Sequence, residues 1–451
     1  MKPDDIDFDE YCDPYNPRKC EYENILAASR RIVGQIVRTP LLQAQMSENL
    51  GMDLYLKQEF LQFTGNFKER GVRNTLLLLN DEQKKFGVVA ASWGNHGCAV
   101  SYHSTQMGIP SIVVMPLLAA VTKVNNCEKL GAKLILFGDN ITEAKHHAMT
   151  IAKEKKMMYL NGFDHPHVLE GQGTVGIEIY EQLPEVDAVL APCGGGSLLA
   201  GVAVAIKHLK PDTEVYGIET DKTCSMTESL KKNERVFLPI DSSIADGLAV
   251  NKVGVNTFYT IKGPPPIVDK MVVVNEDWVA RAVMRLVEEE KFVVEGSGAT
   301  GVAALIAGLL PNLKGKKVVC ICTGGNIDTT TMARALERGM ASEGRLVKFK
   351  VTVRERPAGL AELCGLLSSM GATVRDCLPE RAWIKGDVYS CEFKMTVETK
   401  GWSHAEEIEE AVKKHFKICF FPELKEKTNN LPTPRRGPCL AANPVCMQKN
   451  T

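Results

Sequence analysis

The sequence has no apolar run of the ~20 residues that a bilayer-spanning helix needs and no excess of charge. The 54 Lys and Arg face 55 Asp and Glu, for a net charge of −1. The first absence argues against a membrane protein, the second against nucleic acid or an anionic membrane as partner. Basic runs such as Lys153-Glu154-Lys155-Lys156 read as solvated helix faces. Residues Met1 to Asp9 are acidic and lack an apolar core, so neither a secretory signal nor an Arg-rich transit peptide is expected. There is no internal repeat. The 14 cysteines are scattered and often sit in apolar strands, which fits reduced thiols in a cytoplasmic protein better than a disulfide framework. Cys320 and Cys322 point to opposite faces of one strand and make a poor metal clamp, so no metal site is expected.

What is present is an ordinary globular composition, 44% hydrophobic and 24% charged over 451 residues, enough for two or three domains. Residues 1–20, with Pro14 and Pro17, read as a loose extension, and a helix follows at 21–36. Apolar strands then alternate with helical segments: strands at 54–57, 87–91, 111–115, 133–137, 188–191, 214–219 and 317–322, helices at 67–79, 96–107 and 122–130. That alternation predicts an α/β body of parallel-type sheets covered on both faces, over 21–344, with a smaller subdomain at about 52–155 inserted in a larger one. After 344 the pattern changes. A half-buried strand at 346–353, a helix from Pro357 to Met370, strands near 372–380 and 387–398, a charged helix at 403–416 and a strand at 417–421 give the β-α-β-β-α-β order of a ferredoxin-like α+β domain. The Pro- and Asn-rich tail, 422–451, reads as disordered.

The chemistry centres on Thr64-Gly65-Asn66-Phe67-Lys68-Glu69-Arg70-Gly71. Gly65 permits a bend and Asn66 can cap a helix, which places Lys68 in the first turn, where the helix dipole disfavours a positive charge. A lysine with a lowered pKa is an amine nucleophile, and its natural cofactor partner is the aldehyde pyridoxal 5'-phosphate (PLP). Alone, this stretch reads more readily as a surface lysine at a helix start. Gly194-Gly195-Gly196-Ser197 lies between a strand and a helix, the setting of a phosphate cradle or of a plain tight turn. Ser92-Trp93-Gly94-Asn95-His96 has the same setting. Its amides and the Ser92 hydroxyl suit a carboxylate, the Asn95 side chain suits a phenolic oxygen, and a simple helix cap is the alternative. Thr323 follows a buried strand, and its hydroxyl suits a pyridine nitrogen that stays unprotonated.

Together with Gly171-Gln172-Gly173-Thr174, Ala245-Asp246-Gly247-Leu248-Ala249 and Cys322-Thr323-Gly324-Gly325-Asn326, these segments resemble the fold-type II PLP enzymes over about residues 20–340. The resemblance is to the threonine/serine dehydratase and serine racemase branch. It implies a Schiff base at Lys68, Phe67 packed beside the ring, Asn95 on the ring oxygen and Gly194, Gly195, Gly196, Ser197 and Leu198 around the phosphate. It further implies Gly247 in the cofactor site, Thr323 at the pyridine nitrogen, and Ser92, Asn95 and His96 around the substrate carboxylate. The implied substrate is a β-hydroxy amino acid, and the implied assembly a homo-oligomer. Residues 345–421 look like an ACT regulatory domain, with Arg356-Pro357-Ala358-Gly359-Leu360 as the ligand loop; this implies an amino-acid effector, with a packing module as the alternative.

The chain departs from that family at several points. Asn66 stands where Ser is usual. Trp93 stands where dehydratases have Ala and racemases have the Ser that acts as second base; an indole offers no such base. Glu219 matches a cation-holding position in racemase-like relatives, but Ser225 replaces the expected acid. The expected activity is an L-threonine/L-serine ammonia-lyase. The alternatives are an amino-acid-binding regulatory protein with little catalysis, a serine racemase, and a 3-hydroxyaspartate ammonia-lyase.

Overall fold

The computed structural model describes residues 5–384, 387–416 and 419–420; the tail at 422–451 lies outside the described residues. Two compact units result, dividing between Met332 and Ala333.

The described residues of the first unit form ten strands: β1 (Leu41–Gln43), β2 (Asp53–Gln58), β3 (Val88–Ala91), β4 (Ser111–Met115), β5 (Lys133–Leu136), β6 (Met158–Tyr159), β7 (Ala188–Pro192), β8 (Glu214–Thr220), β9 (Lys270–Val274) and β10 (Lys317–Cys322). The larger sheet runs β1-β2-β10-β7-β8-β9. Only the β1–β2 pair is antiparallel. All five residues of β7 are buried, as expected of a strand covered on both faces. Val189, Val319 and Ile321 from this sheet share a core with Leu169, Leu199 and Val202 from the helices Pro166–Gln182 and Ser197–Leu209. Each such side chain contributes roughly 1.5–3 kcal/mol by leaving water.

The smaller sheet, β5-β4-β3-β6, is wholly parallel. Alternation along β3 divides its two cores. Val88 and Ala90 pack with Val72 and Leu76 of the helix Lys68–Leu77 and with Val100 of the helix Asn95–Gln106. Val89 packs the other way, against Ala144 and Ala148 of the helix Ile141–Lys155.

Two sequence expectations are corrected here. The segment expected to open the inserted subdomain at residue 52 forms β2, which pairs in parallel with β10 of the larger sheet. The partner strand lies more than 250 residues downstream, so nothing local reveals the pairing. The extension expected to be loose is tied down over its described part. Arg18 N–H donates to Asn256 Oδ1 (2.7 Å), Cys20 N–H to Thr260 Oγ1 (3.1 Å), and Asn256 Nδ2 to the Tyr11 carbonyl (2.7 Å). The Tyr11 ring lies 4.3 Å from the ring of His165. The anchors are backbone groups bonded to distant side chains, which leave no periodic trace in sequence.

The second unit carries β11 (Leu346–Arg354), β12 (Thr373–Glu380), β13 (Ser390–Glu398) and β14 (Cys419–Phe420) in one antiparallel sheet ordered β12-β13-β11-β14. The helices Gly359–Ser369 and Trp402–His415 complete the β-α-β-β-α-β order. Val347, Phe349, Val351 and Val353 alternate inward along β11 and meet Leu363 and Ile408 from the two helices. Among the described residues no helix is long and apolar enough to cross a membrane.

Candidate active site

A cavity of about 340 Å³ opens beyond the carboxyl ends of β3, β7 and β10, where loops leave parallel strands. It brings together segments far apart in sequence: Phe67 and Lys68, Ser92 to His96, Gly194 to Ser197, Gly247 and Thr323. Of the expected site residues only Leu198 is missing from its wall, because its side chain packs into the larger core.

Lys68 is the first residue of its helix and Phe67 its N-cap; Asn66, expected to be the cap, lies one residue earlier, where its Oδ1 accepts the Lys68 backbone N–H at 3.0 Å. Lys68 Nζ donates to the Gly162 carbonyl at 2.6 Å. Burial pushes the amine down to about 8, with Glu295 opposing the shift. The sequence reading assigned the lowering to the helix dipole; removal from water is the main cause.

The Gly194–Ser197 turn presents an anion cradle. Among the described residues, no protein acceptor meets the N–H groups of Gly194, Gly195, Gly196, Ser197 or Leu198. Five N–H groups without a protein acceptor and a 13-residue helix starting at Ser197 favour a phosphate there. The glycines are required. Gly196 has φ +101°, and a Cβ on Gly195 would lie 2.3 Å from Phe163 Cγ.

The loop after β3 is built around Ser92. Its Oγ accepts the N–H groups of Gly94 (3.0 Å) and Gly97 (2.9 Å), so the hydroxyl shapes the loop and keeps only its own proton to donate. His96 Nε2–H donates to the Leu160 carbonyl at 3.0 Å, and burial pushes the ring down to about 3. It is therefore neutral near pH 7 and offers no cationic anchor to a carboxylate. The Asn95 amide is held at both ends, Nδ2 donating to Glu295 Oε1 (2.7 Å) and Oδ1 accepting from Asn326 Nδ2 (2.8 Å). Thr323 is buried at the end of β10, its carbonyl accepting the Phe67 N–H at 3.0 Å.

Several site residues escaped the sequence reading. Glu295 and Ser297 line the cavity, and the Ser297 Oγ is buried without a partner among the described residues. Gly247 sits against it: a Cβ there would lie 2.7 Å from Ser297 Oγ. Lys123, from the helix Val121–Lys129 beside the smaller sheet, pairs with Asp246 from the turn that carries Gly247. The available signal was an acid set between Phe292-Val293-Val294 and the small residues Gly296-Ser297-Gly298. Glu219 is fully engaged elsewhere: its oxygens accept the Met226 N–H (2.8 Å), the Thr227 N–H (2.8 Å) and the Thr227 hydroxyl (2.6 Å), closing the start of the helix Ser225–Lys232.

A buried amine of lowered pKa, an acceptor-less N–H cradle and an unpartnered Ser297 hydroxyl fit a phosphate-bearing aldehyde, and on two parallel sheets they define a PLP-dependent α/β enzyme. Residues 32–324 match the family model described as pyridoxal-phosphate dependent enzyme, and the chain belongs to that family. Its cofactor is PLP. The chain is 40% identical over 388 residues to the L-threonine ammonia-lyase of Thermotoga maritima, which covers 86% of this chain and 96% of the relative. Among solved structures it is similar to the processed form of threonine deaminase isoform 2 from Solanum lycopersicum (TM-score 0.66, 32% identity, 72% of this chain and 95% of that one). It is also similar to maize serine racemase (TM-score 0.67, 30% identity, 72% and 99%).

Proposed function

We propose that the protein is an L-threonine/L-serine ammonia-lyase that converts a β-hydroxy amino acid to a 2-oxo acid and ammonia. The observation that carries this reading is the Lys68 amine of lowered pKa in a cavity whose wall also carries Trp93, the residue that the resemblance aligns with a racemase's second base. An indole at that position returns no proton to Cα, so elimination is favoured over racemisation. Bound PLP supplies the aldehyde that captures the amino group and the ring that draws electrons from Cα. Lys68 Nζ would take the Cα proton. The N–H groups of Gly194 to Leu198 would hold the phosphate, and the second Asn95 amide proton would meet the ring oxygen. The Thr323 hydroxyl would meet the ring nitrogen. The free N–H groups at the start of the helix Asn95–Gln106 and the Ser92 proton hold the substrate carboxylate. The test is a panel of L-threonine, L-serine and 3-hydroxyaspartate read for 2-oxo acid: turnover of threonine and serine is expected, and D-serine formation without 2-oxo acid would favour a racemase.

The cradle can be tested by itself. Gly195→Ala drives a methyl group into the Phe163 ring, and overpacking of this kind costs about 1–3 kcal/mol. PLP affinity should fall roughly 10- to 100-fold on that scale, measured by equilibrium titration. Unchanged affinity would place the phosphate elsewhere.

Cofactor capture should also report the Lys68 pKa. Only the neutral amine attacks an aldehyde, and the amine is held down to about 8 by burial. The capture rate of the apoprotein should therefore rise about tenfold per pH unit below that value and level off above it. A plateau reached only near pH 10, seen by stopped-flow absorbance, would mean that burial does not tune the amine.

The second unit is proposed as an ACT-like binding domain for an amino-acid effector. The support is its strand order and the loop Arg356–Leu360, where Ala358 takes a positive φ of +71° immediately before the helix Gly359–Ser369. The protein is further proposed to act as a cytoplasmic homo-oligomer. Calorimetric titration with amino acids, the branched-chain ones among them, should detect effector binding; heat signals only from active-site ligands would leave the unit a packing module.

A further inference from the structure

Glu295 is buried, and nothing in the proposed chemistry uses it. Its backbone N–H donates to the Gly324 carbonyl (2.9 Å), and its Oε1 accepts from Asn95 Nδ2 (2.7 Å). Asn326 completes the arrangement from the other end. Its Nδ2 donates both to Asn95 Oδ1 (2.8 Å) and to the Thr64 carbonyl (2.8 Å). Glycines make room for these two side chains. A Cβ on Gly324 would lie 2.8 Å from Glu295 Oε1, and one on Gly65 would lie 2.8 Å from Asn326 Oδ1. The loop carrying Lys68, the loop carrying Thr323 and the Asn95 side chain are thus tied into one hydrogen-bonded unit.

An amide NH2 has two protons and lies in one plane with its carbonyl. Bonds at Oδ1 and at one N–H fix that plane, so the remaining N–H has one direction. We propose that Glu295 is a positioning residue for the cofactor, holding the Asn95 amide so that its second N–H meets the ring oxygen. The inference deepens the PLP reading of this site and rests on it. Burial raises the Glu295 carboxyl to about 7, Asp246 adds to the rise, and Lys123, Asn95 and Lys68 oppose it. Ionised or neutral, its Oε1 remains an acceptor, so a glutamine can replace it in this role.

The test uses the PLP-loaded enzyme without substrate. It reads cofactor affinity and the pH midpoint of the cofactor absorption band in Glu295→Ala, Glu295→Gln, Asn95→Ala and the Asn95→Ala/Glu295→Ala double variant. Glu295→Ala should weaken PLP binding by about tenfold, the scale of one lost hydrogen bond. It should also raise the midpoint, since an ionised oxygen that loses a donor binds protons more tightly. Glu295→Gln should restore both to near the parent values. In the Asn95→Ala background, removing Glu295 should change neither, because its effect runs through Asn95. Glu295→Met fills similar space without an acceptor and should behave as Glu295→Ala, which keeps the test open if the alanine variant fails to fold. Parent-like affinity and midpoint in the Ala and Met variants, or a further tenfold loss in the double variant, would overturn the proposal. A parent protein with no cofactor band would instead overturn the PLP reading itself.

Discussion

Lys68→Ala should lower 2-oxo acid formation from threonine by at least about 10²–10⁴-fold, the usual worth of a positioned proton-transfer group. The true loss should be larger, because on the proposed reading the same nitrogen would also hold the cofactor covalently before each turnover. Neither His96 nor Lys123 can stand in for it. His96 is held neutral and bonded to the Leu160 carbonyl, and Lys123 is committed to Asp246. The variant should still bind PLP through the 194–198 cradle, though more weakly and without a covalent link. Steady-state assays of the purified variant check the rate, and gel filtration followed by absorbance checks cofactor retention. Turnover within tenfold of the parent would remove Lys68 from the mechanism.

Arg70→Ala should destabilise the first unit by about 3–5 kcal/mol, the cost of leaving a buried ion without its partner. Arg70 and Glu59 are both fully buried. The guanidinium donates to Glu59 through Nε (2.8 Å) and Nη2 (2.7 Å) and to Glu178 through Nη1 (2.7 Å) and Nη2 (2.9 Å). Lys57 Nζ adds a bond to Glu178 at 2.6 Å and one to the Thr39 carbonyl at 2.7 Å. Two acids and two bases thus balance out of water. Burial opposes the Arg70 charge, but Glu59 and Glu178 outweigh it and hold the guanidinium above its ordinary value. Without Arg70, both carboxylates face Lys57 alone. Arg70→Lys should recover little, since an ammonium cannot form the two forked pairs. The network also lies two residues beyond Lys68 on the same helix, so residual PLP affinity should fall with stability. Denaturant midpoints at constant slope measure the loss; a loss below about 1 kcal/mol would show that the network is replaceable.

The parts of this molecule that were legible in sequence are those whose causes are local. Alternation along Leu346–Arg354 set one face of β11 inward, and the structure buries Val347, Phe349, Val351 and Val353. Glycines between an apolar strand and a helix marked the turn after β7, and the cavity takes its wall from it. The parts that were missed depend on partners far away in the chain. β2 joins the larger sheet through β10. Glu295 and Asn326 reach Asn95 across 200 and 231 residues, with nothing in either segment to announce the meeting. Arg70 belonged to the motif around Lys68, but its partners Glu59 and Glu178 sit on a different turn and helix. His96 lies in the cavity wall, yet only its bond to Leu160 shows that its ring is a buried neutral group.

The most direct test of the central claim is borohydride reduction of the PLP-loaded protein, followed by peptide mass mapping. The account predicts a single phosphopyridoxyl mark, on the peptide containing Lys68. A mark on any other lysine, or a loaded protein that yields none, would contradict it.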